Sequence, residues 1–96
     1  MDDTGPGTLK CVSASSPTRA LAGVVREAIE ARVPSHNIYH LHGETIIVHT
    51  EADTATIREW LAPLLRDDES LLVVEFERWS SQGDGVDRRW LLRRGH

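Results

Sequence analysis

The sequence predicts an α+β fold, because segments with helical periodicity alternate with segments of strand-like alternation along a chain of 96 residues. Four strand patterns and two helix patterns follow one another in the order strand, helix, strand, strand, helix, strand. This order is the split βαβ motif of ferredoxin-like domains, in which one four-stranded antiparallel sheet carries two helices on one face. Right-handed crossovers place both helices on the same face, so the other face is expected to be bare.

The first strand is predicted over residues 9–14, and the first helix is predicted to begin at Ser16-Pro17. Serine before proline is typical of a helix start, with serine as the cap and proline at the first helical position. An apolar stripe at helical spacing follows, formed by Leu21, Val24, Val25, Ala28 and Ile29. Pro34 is expected to end the helix, because proline disfavours the helical conformation in the residue before it.

A hairpin is predicted from the strands Ile38–His42 and Thr45–Thr50 around Gly43-Glu44. Glycine at the first position of a two-residue loop suits a type II′ turn. The turn pairs His42 with Thr45, and the register is expected to continue without interruption. One face is then predicted to hold Tyr39, Leu41, Ile46 and Val48, and the bare face to hold Ile38, His40, His42, Ile47 and His49.

The second helix is predicted to start at a cap formed by Asp53 or Thr54. Its apolar stripe consists of Ile57, Trp60, Leu61, Leu64 and Leu65. Pro63 lies inside that stripe and removes a backbone donor, so we expect a kink or a distorted last turn there.

The fourth strand is predicted over residues 71–79, where apolar and polar side chains alternate. We assign Leu71, Val73 and Trp79 to the bare face, and Leu72, Val74 and Phe76 to the face that the helices cover. Residues 86–94 fit either a fifth strand or one short helix, because their periodicity favours neither.

The chain is expected to form one domain, over residues 8–80. Residues 1–7 contain Gly, Pro and acidic residues and predict a disordered leader, and residues 81–96 form a C-terminal loop and basic segment. No apolar run approaches the about 20 residues of a transmembrane helix. The acidic start Met1-Asp2-Asp3 argues against a secretory signal, so a cytoplasmic location is expected. Ten of the 11 basic residues are Arg, a bias typical of GC-rich bacterial genomes.

The formal net charge is −4, which argues against a surface devoted to nucleic acid. Residues 84–96 carry about +2 and the rest about −6, so only the end of the chain is attractive to phosphate or to an acidic partner. The basic residues there are Arg88, Arg89, Arg93 and Arg94. The alternative is a terminal segment that packs Trp90 and Leu91 or Leu92 while its arginines stay in water.

Residues 54–79 resemble a segment of the ferredoxin-like superfamily of CRISPR-associated adaptation nucleases and VapD-type endoribonucleases. In the stand-alone members, a helix of the form Ile-Arg-x-x-Leu-x-Pro-Leu precedes an acidic loop and a Leu-Val-Val strand. The matching positions are Ile57, Arg58, Leu61, Pro63, Leu64, Asp67, Asp68, Leu72, Val73 and Val74.

This resemblance implies a homodimer in which the segment after the fourth strand reaches toward the other subunit. In the nucleolytic members, an Asp at the end of the first strand binds the catalytic metal. The matching residues 11–15 read Cys-Val-Ser-Ala-Ser and contain no carboxylate. Hard divalent ions prefer carboxylate ligands, so we predict no metal-dependent nuclease activity.

Three histidines, His40, His42 and His49, share the bare face in the predicted register, within reach of one zinc ion. We favour exposed histidines without a metal, because no cysteine lies near them, and we expect no cofactor. An RNA platform needs aromatic side chains on the central strands, and neither of them has one. The single Cys11 is expected to be a small buried hydrophobe.

The leading functional hypothesis is a non-catalytic homodimer that acts through protein assembly, as a scaffold, immunity or regulatory component. The bare sheet face and the C-terminal segment are expected to form its interface, since an apolar face of that size is seldom left in water. The predicted interface residues are Ile38, Ile47, Leu71, Val73, Trp79 and Trp90. The alternatives are an endoribonuclease or toxin of the resembling superfamily and a small-molecule-sensing domain.

Overall fold

The computed structural model describes residues 7–42, 45–83 and 85–94, without the side chain of His42. It confirms the α+β class, with a four-stranded antiparallel sheet in the order β2-β3-β1-β4. The strands are β1 (Thr8–Ser15), β2 (Ile38–His42), β3 (Thr45–Thr50) and β4 (Ser70–Phe76), and the helices are α1 (Ala22–Glu30), α2 (Thr54–Leu61) and α3 (Arg88–Leu92). The predicted leader up to Pro6 and the predicted turn at Gly43-Glu44 lie outside the described residues.

The main core lies between the sheet and the two longer helices, on what we call the helix side. Its buried side chains come from β1, β3, α1, α2 and the residues beside α1, namely Val12, Ala14, Leu21, Val25, Ile29, Val33, Ile46, Val48, Ile57 and Leu61. We call the opposite face of the sheet the open side. Among the described residues, no helix has both the length and the apolar character that crossing a membrane requires.

The start of α1 differs from the prediction, since the helix begins at Ala22 and not at Ser16-Pro17. The Ser16 hydroxyl accepts hydrogen bonds from the backbone N–H groups of Thr18 and Arg19, each at 3.2 Å. Serine therefore stabilises a local turn, which is the competing use of its side chain. The helix ends at Glu30, before Pro34 as expected.

Helix α2 follows the prediction at both ends. Asp53 is its cap, and the Asp53 carboxylate accepts a hydrogen bond of 2.8 Å from the Thr56 N–H. That hydrogen bond lowers the pKa of Asp53. Regular helix stops at Leu61, and Ala62–Leu64, which contains Pro63, forms a 3₁₀ turn. The expected distortion at Pro63 is thus confirmed.

The register of the hairpin corrects the predicted faces of β2. His42 pairs with Thr45 as expected, but a bulge between His40 and His42 shifts the pairing by one residue. Tyr39 therefore pairs with Ile47, and His40 pairs with Ile46. A bulge adds one residue to one strand, which exchanges the faces of the residues beyond it.

The faces of β4 are also the reverse of the prediction. Val73 pairs with Val12 of β1 and packs with Leu71 against the helix-side core, whereas Leu72 and Val74 lie on the open side. The strand ends at Phe76, which pairs with Leu9 near the start of β1. Trp79 accordingly lies beyond the strand.

Lys10 is buried on the helix side, with only 1% of its surface exposed. Its ammonium group donates hydrogen bonds to the Thr8 hydroxyl at 2.6 Å and to the Thr50 carbonyl at 2.7 Å. The Glu75 carboxylate lies 3.6 Å away. A hydrogen bond from Thr8 and the charge of Lys10 lower the pKa of Glu75. A buried charge is tolerated only with such partners.

An ion pair joins the loop after β1 to the loop before β4. The Arg19 guanidinium donates two hydrogen bonds to the Glu69 carboxylate, each 2.7 Å long. The same guanidinium donates to the Leu64 carbonyl at 2.9 Å, and the Arg66 N–H donates to Glu69 at 2.7 Å. These contacts hold the pKa of Glu69 well below its usual range.

Candidate functional site

The open side of the sheet is the candidate site, and a C-terminal segment, described over residues 85–94, covers part of it. Helix α3 in this segment is capped by Asp87, whose carboxylate accepts a hydrogen bond of 3.1 Å from the Trp90 N–H. Leu91 points into a second core cluster with Leu9 and Ile47. The sequence was compatible with either a strand or a short helix in this segment, and the structure contains a short helix.

Tyr39 and Trp90 connect the segment to β2 and to the turn before it. The Tyr39 hydroxyl donates to the Gly85 carbonyl at 3.0 Å and accepts from the Asp87 N–H at 2.8 Å. The Trp90 indole N–H donates to the His36 carbonyl at 3.0 Å, and its ring lies 5.5 Å from the Tyr39 ring. Both ends of the segment are therefore bonded to the domain.

Arg94 is part of this connection and is only 5% exposed. Its guanidinium lies 3.8 Å from the centre of the Trp90 ring and donates to the Trp90 carbonyl at 2.8 Å. It also donates to the His36 carbonyl. The prediction that Arg94 meets an acidic partner or nucleic acid is corrected by this burial. Arg88, Arg89 and Arg93 are exposed, and their contact with a partner stays a prediction.

The remainder of the open side is uncovered at β4. Leu72 is 62% exposed and Val74 43% exposed, and we call these two residues the β4 strip. Their nearest neighbours on β1 are Ser13 and Cys11, which are half-buried. Within the described residues, β4 is also one of the two edge strands of the sheet, the other being β2. The β4 strip therefore places exposed apolar side chains on a strand whose outer edge is unpaired within the described residues.

The six residues predicted for the interface lie elsewhere. Ile38, Leu71 and Val73 pack on the helix side, so their assignment to the bare face is wrong. Ile47, Trp79 and Trp90 pack in the second cluster beneath or within the C-terminal segment. Among the described residues, the large exposed hydrophobics are Leu64, Leu72, Val74 and Leu92. The alternation in β4 separated Leu72 from Leu71, but alternation alone does not say which set meets the helices.

The histidines do not share a face. His40 pairs with Ile46 on the helix side and is exposed, whereas His49 is buried on the open side. The side chain of His42 lies outside the described residues. In the described part of the chain, no three His, Cys, Asp or Glu side chains are grouped so as to hold a metal ion. The predicted arrangement of His40 and His49 on one face is therefore corrected.

The end of β1, where the resembling superfamily has its metal-binding Asp, is formed by Ser13, Ala14 and Ser15. Ser15 pairs with Ser70 at the start of β4. No protein family, curated protein or solved structure matches the chain. The resemblance to the CRISPR-associated and VapD-type superfamily therefore stays a prediction.

Proposed function

We propose that this chain is a non-catalytic, ferredoxin-like protein of the bacterial cytoplasm that acts through assembly as a homodimer. The exposed β4 strip, on an edge strand, is the observation that carries the proposal. An edge strand has unpaired backbone N–H and C=O groups, which form hydrogen bonds with a strand of another chain. The order of the elements along the chain supports the ferredoxin-like arrangement.

The sequence of β4 is compatible with pairing to a second copy of itself. It reads Ser-Leu-Leu-Val-Val-Glu-Phe from Ser70 to Phe76. Antiparallel pairing centred on Val73 sets Leu72 opposite Val74 of the second copy, and a two-fold axis repeats that contact. Both contacts lie on the open side, where these side chains are exposed. Cross-strand apolar pairs of this kind stabilise a sheet.

The expected dimer is of moderate affinity. Full burial of one Leu or Val contributes roughly 1.5–3 kcal/mol, and four such side chains meet in the pairing described above. Association costs about 4–15 kcal/mol, so the backbone hydrogen bonds between the two edges are needed as well. We therefore expect a concentration-dependent equilibrium, with dimers at about tens of micromolar.

Sedimentation velocity across a concentration series tests this proposal. Leu72→Asp is expected to abolish the dimer, because it adds a charge to both sides of the two-fold contact. Leu92→Asp is the matched control, since Leu92 is 61% exposed but lies on α3. A wild-type chain that stays monomeric at about 100 μM, or equal effects of the two substitutions, would contradict the proposal.

One direct assay distinguishes the endoribonuclease alternative from this proposal. Incubation with RNA and DNA in Mg²⁺ or Mn²⁺ is expected to leave both intact, because the end of β1 at Ser13–Ser15 has no carboxylate for a hard metal ion. Cleavage that a chelator stops, and that persists through repurification, would favour the nuclease.

A further inference from the structure

A cavity lies between the open side of the sheet and the chain that follows β4. Its volume is about 350 Å³. Pockets that hold small molecules start at about 300 Å³, and a cavity of about 150 Å³ accommodates benzene. The space is therefore sufficient for about two fused rings. The residues around it include Cys11, Ile47, Trp79, Ser81, Val86 and Leu91.

The described residues that line the cavity are uncharged, although 27% of the residues in the chain are charged. Cys11 and Ile47 form its floor on β1 and β3, and Val86 and Leu91 approach from the C-terminal segment. Moving an ion from water into such surroundings is strongly unfavourable unless a charged partner is present. The wall therefore selects a neutral, largely apolar occupant.

Two polar atoms of the wall residues lack hydrogen-bond partners. The indole nitrogen of Trp79 and the hydroxyl oxygen of Ser81 are buried, and neither has a partner within the described residues. Buried polar groups are nearly always paired, because an unpaired one carries its full desolvation cost. The indole N–H only donates, so a ligand group that reaches it must be an acceptor such as a carbonyl oxygen.

The Cys11 thiol contributes apolar surface to this cavity. Burial raises the pKa of the thiol, so it stays protonated at neutral pH. A protonated thiol is a poor nucleophile and a soft, polarisable contact for aromatic rings. This chemistry agrees with reversible binding of an apolar molecule.

We propose that this cavity binds a small, uncharged, aromatic or otherwise apolar molecule of about two fused rings that carries one hydrogen-bond acceptor. The inference is independent of the homodimer, because the cavity wall contains neither residue of the β4 strip. Such a molecule packs between the sheet and the C-terminal segment and stabilises the covered state of the open side.

Titration with Prodan, a neutral naphthalene ketone whose emission shifts to the blue in apolar surroundings, tests the inference. We expect saturable binding of one molecule per chain. Val86→Trp fills the cavity from the C-terminal segment and is expected to weaken binding at least about tenfold. Leu92→Trp is the matched control, because Leu92 is exposed on α3 and is not part of the wall, and its binding should match that of the wild type.

Trp79→Phe separates hydrogen bonding from packing. It keeps an aromatic ring but removes the donor, so Prodan should bind about 5–10-fold more weakly. The ketone-free analogue 2-dimethylaminonaphthalene should bind Trp79→Phe and the wild type equally. Equal binding of Prodan itself to both proteins would overturn the assignment of the acceptor.

Further outcomes decide the location of the site. Absence of saturable Prodan binding, or undiminished binding to Val86→Trp, would overturn the proposal. Loss of binding in Leu72→Asp would also overturn it, because the probe would then occupy the β4 strip. If circular dichroism shows that Val86→Trp does not fold, Cys11→Phe fills the same cavity from the floor and is expected to weaken binding similarly.

Discussion

The open side has one portion that the C-terminal segment covers and one portion, at β4, that it leaves uncovered. Both portions present apolar side chains from strands. One row across the sheet runs from Tyr39 through Ile47 and Cys11 to Val74. Ile47 is 8% exposed beneath the C-terminal segment, whereas Val74, two strands away, is 43% exposed. An apolar residue in a strand is thus buried or exposed according to how far the covering segment reaches. The difference identifies β4 as the uncovered portion of the open side.

The covered portion depends on a few contacts at each end of the segment. The Tyr39 hydroxyl bonds to Gly85 and Asp87 at the start, and Trp90 and Arg94 both donate to the His36 carbonyl near the end. Leu91 packs between these ends. This arrangement predicts that single substitutions detach the segment without disturbing the helix side.

The largest expected effect comes from truncating the buried leucine of α3. Leu91→Ala should lower the free energy of unfolding by about 2–5 kcal/mol, the usual cost of a large-to-small change in a core. Leu92→Ala, one residue further along the same helix, should change it by less than about 0.5 kcal/mol, because Leu92 is exposed. Urea unfolding of both variants measures the difference. Equal losses would mean that the segment does not cover the sheet as described.

A smaller effect is expected from removing one hydroxyl. Tyr39→Phe keeps the ring against Trp90 but deletes the bonds to the Gly85 carbonyl and the Asp87 N–H. The free energy of unfolding should fall by about 1–2 kcal/mol. Hydrogen exchange at the Asp87 amide should accelerate, while amides of α1 keep their protection. Unchanged exchange at Asp87 would show that this hydroxyl does not fasten the segment.

The smallest expected effect is a change in stability at acid pH. It comes from the ion pair of Arg19 and Glu69, which lies outside the covered and uncovered portions of the open side. Glu69 has a folded-state pKa below its ordinary value of about 4.5, so its contribution is present above that pH and is lost as the pH falls through the folded-state pKa. Glu69→Gln should therefore flatten the loss of stability below about pH 4.5. The Arg19 side chain of this pair is 27% exposed, so solvent screening keeps the contribution modest.

Urea unfolding midpoints at neutral and acid pH measure this change. Glu59→Gln, on the exposed surface of α2, is the control and should retain the wild-type acid slope. Neither substitution should alter dimerisation or Prodan binding. A steeper acid loss in Glu69→Gln would contradict the assigned direction of the pKa.

Local sequence signals predicted the types of the elements and several of their ends. Asp53 caps α2 and Pro63 distorts its end, because each acts on backbone groups within a few residues of itself. Ser16-Pro17 gave a false helix start, since the same hydroxyl also stabilises a turn. The ends of these elements depend on residues that are neighbours along the chain, so most of them could be predicted from the sequence.

The faces of the strands could not be read in the same way. Alternation in β4 separates Leu72 and Val74 from Leu71 and Val73, but the helices decide which pair is buried. In β2, the bulge before His42 reverses the faces of Tyr39 and His40. The rule that relates loop length to turn type does not predict such a bulge. The sequence therefore assigned Ile38, Leu71 and Val73 to the wrong face of the sheet.

The burial of Lys10 has a practical consequence for chemical labelling. Lys10 is the only lysine of the chain, and its ammonium group is enclosed by Thr8, Thr50 and Glu75. Amine-reactive dyes and cross-linkers will therefore react poorly with Lys10 in the folded protein. Labelling of Lys10 thereby becomes a direct readout of unfolding.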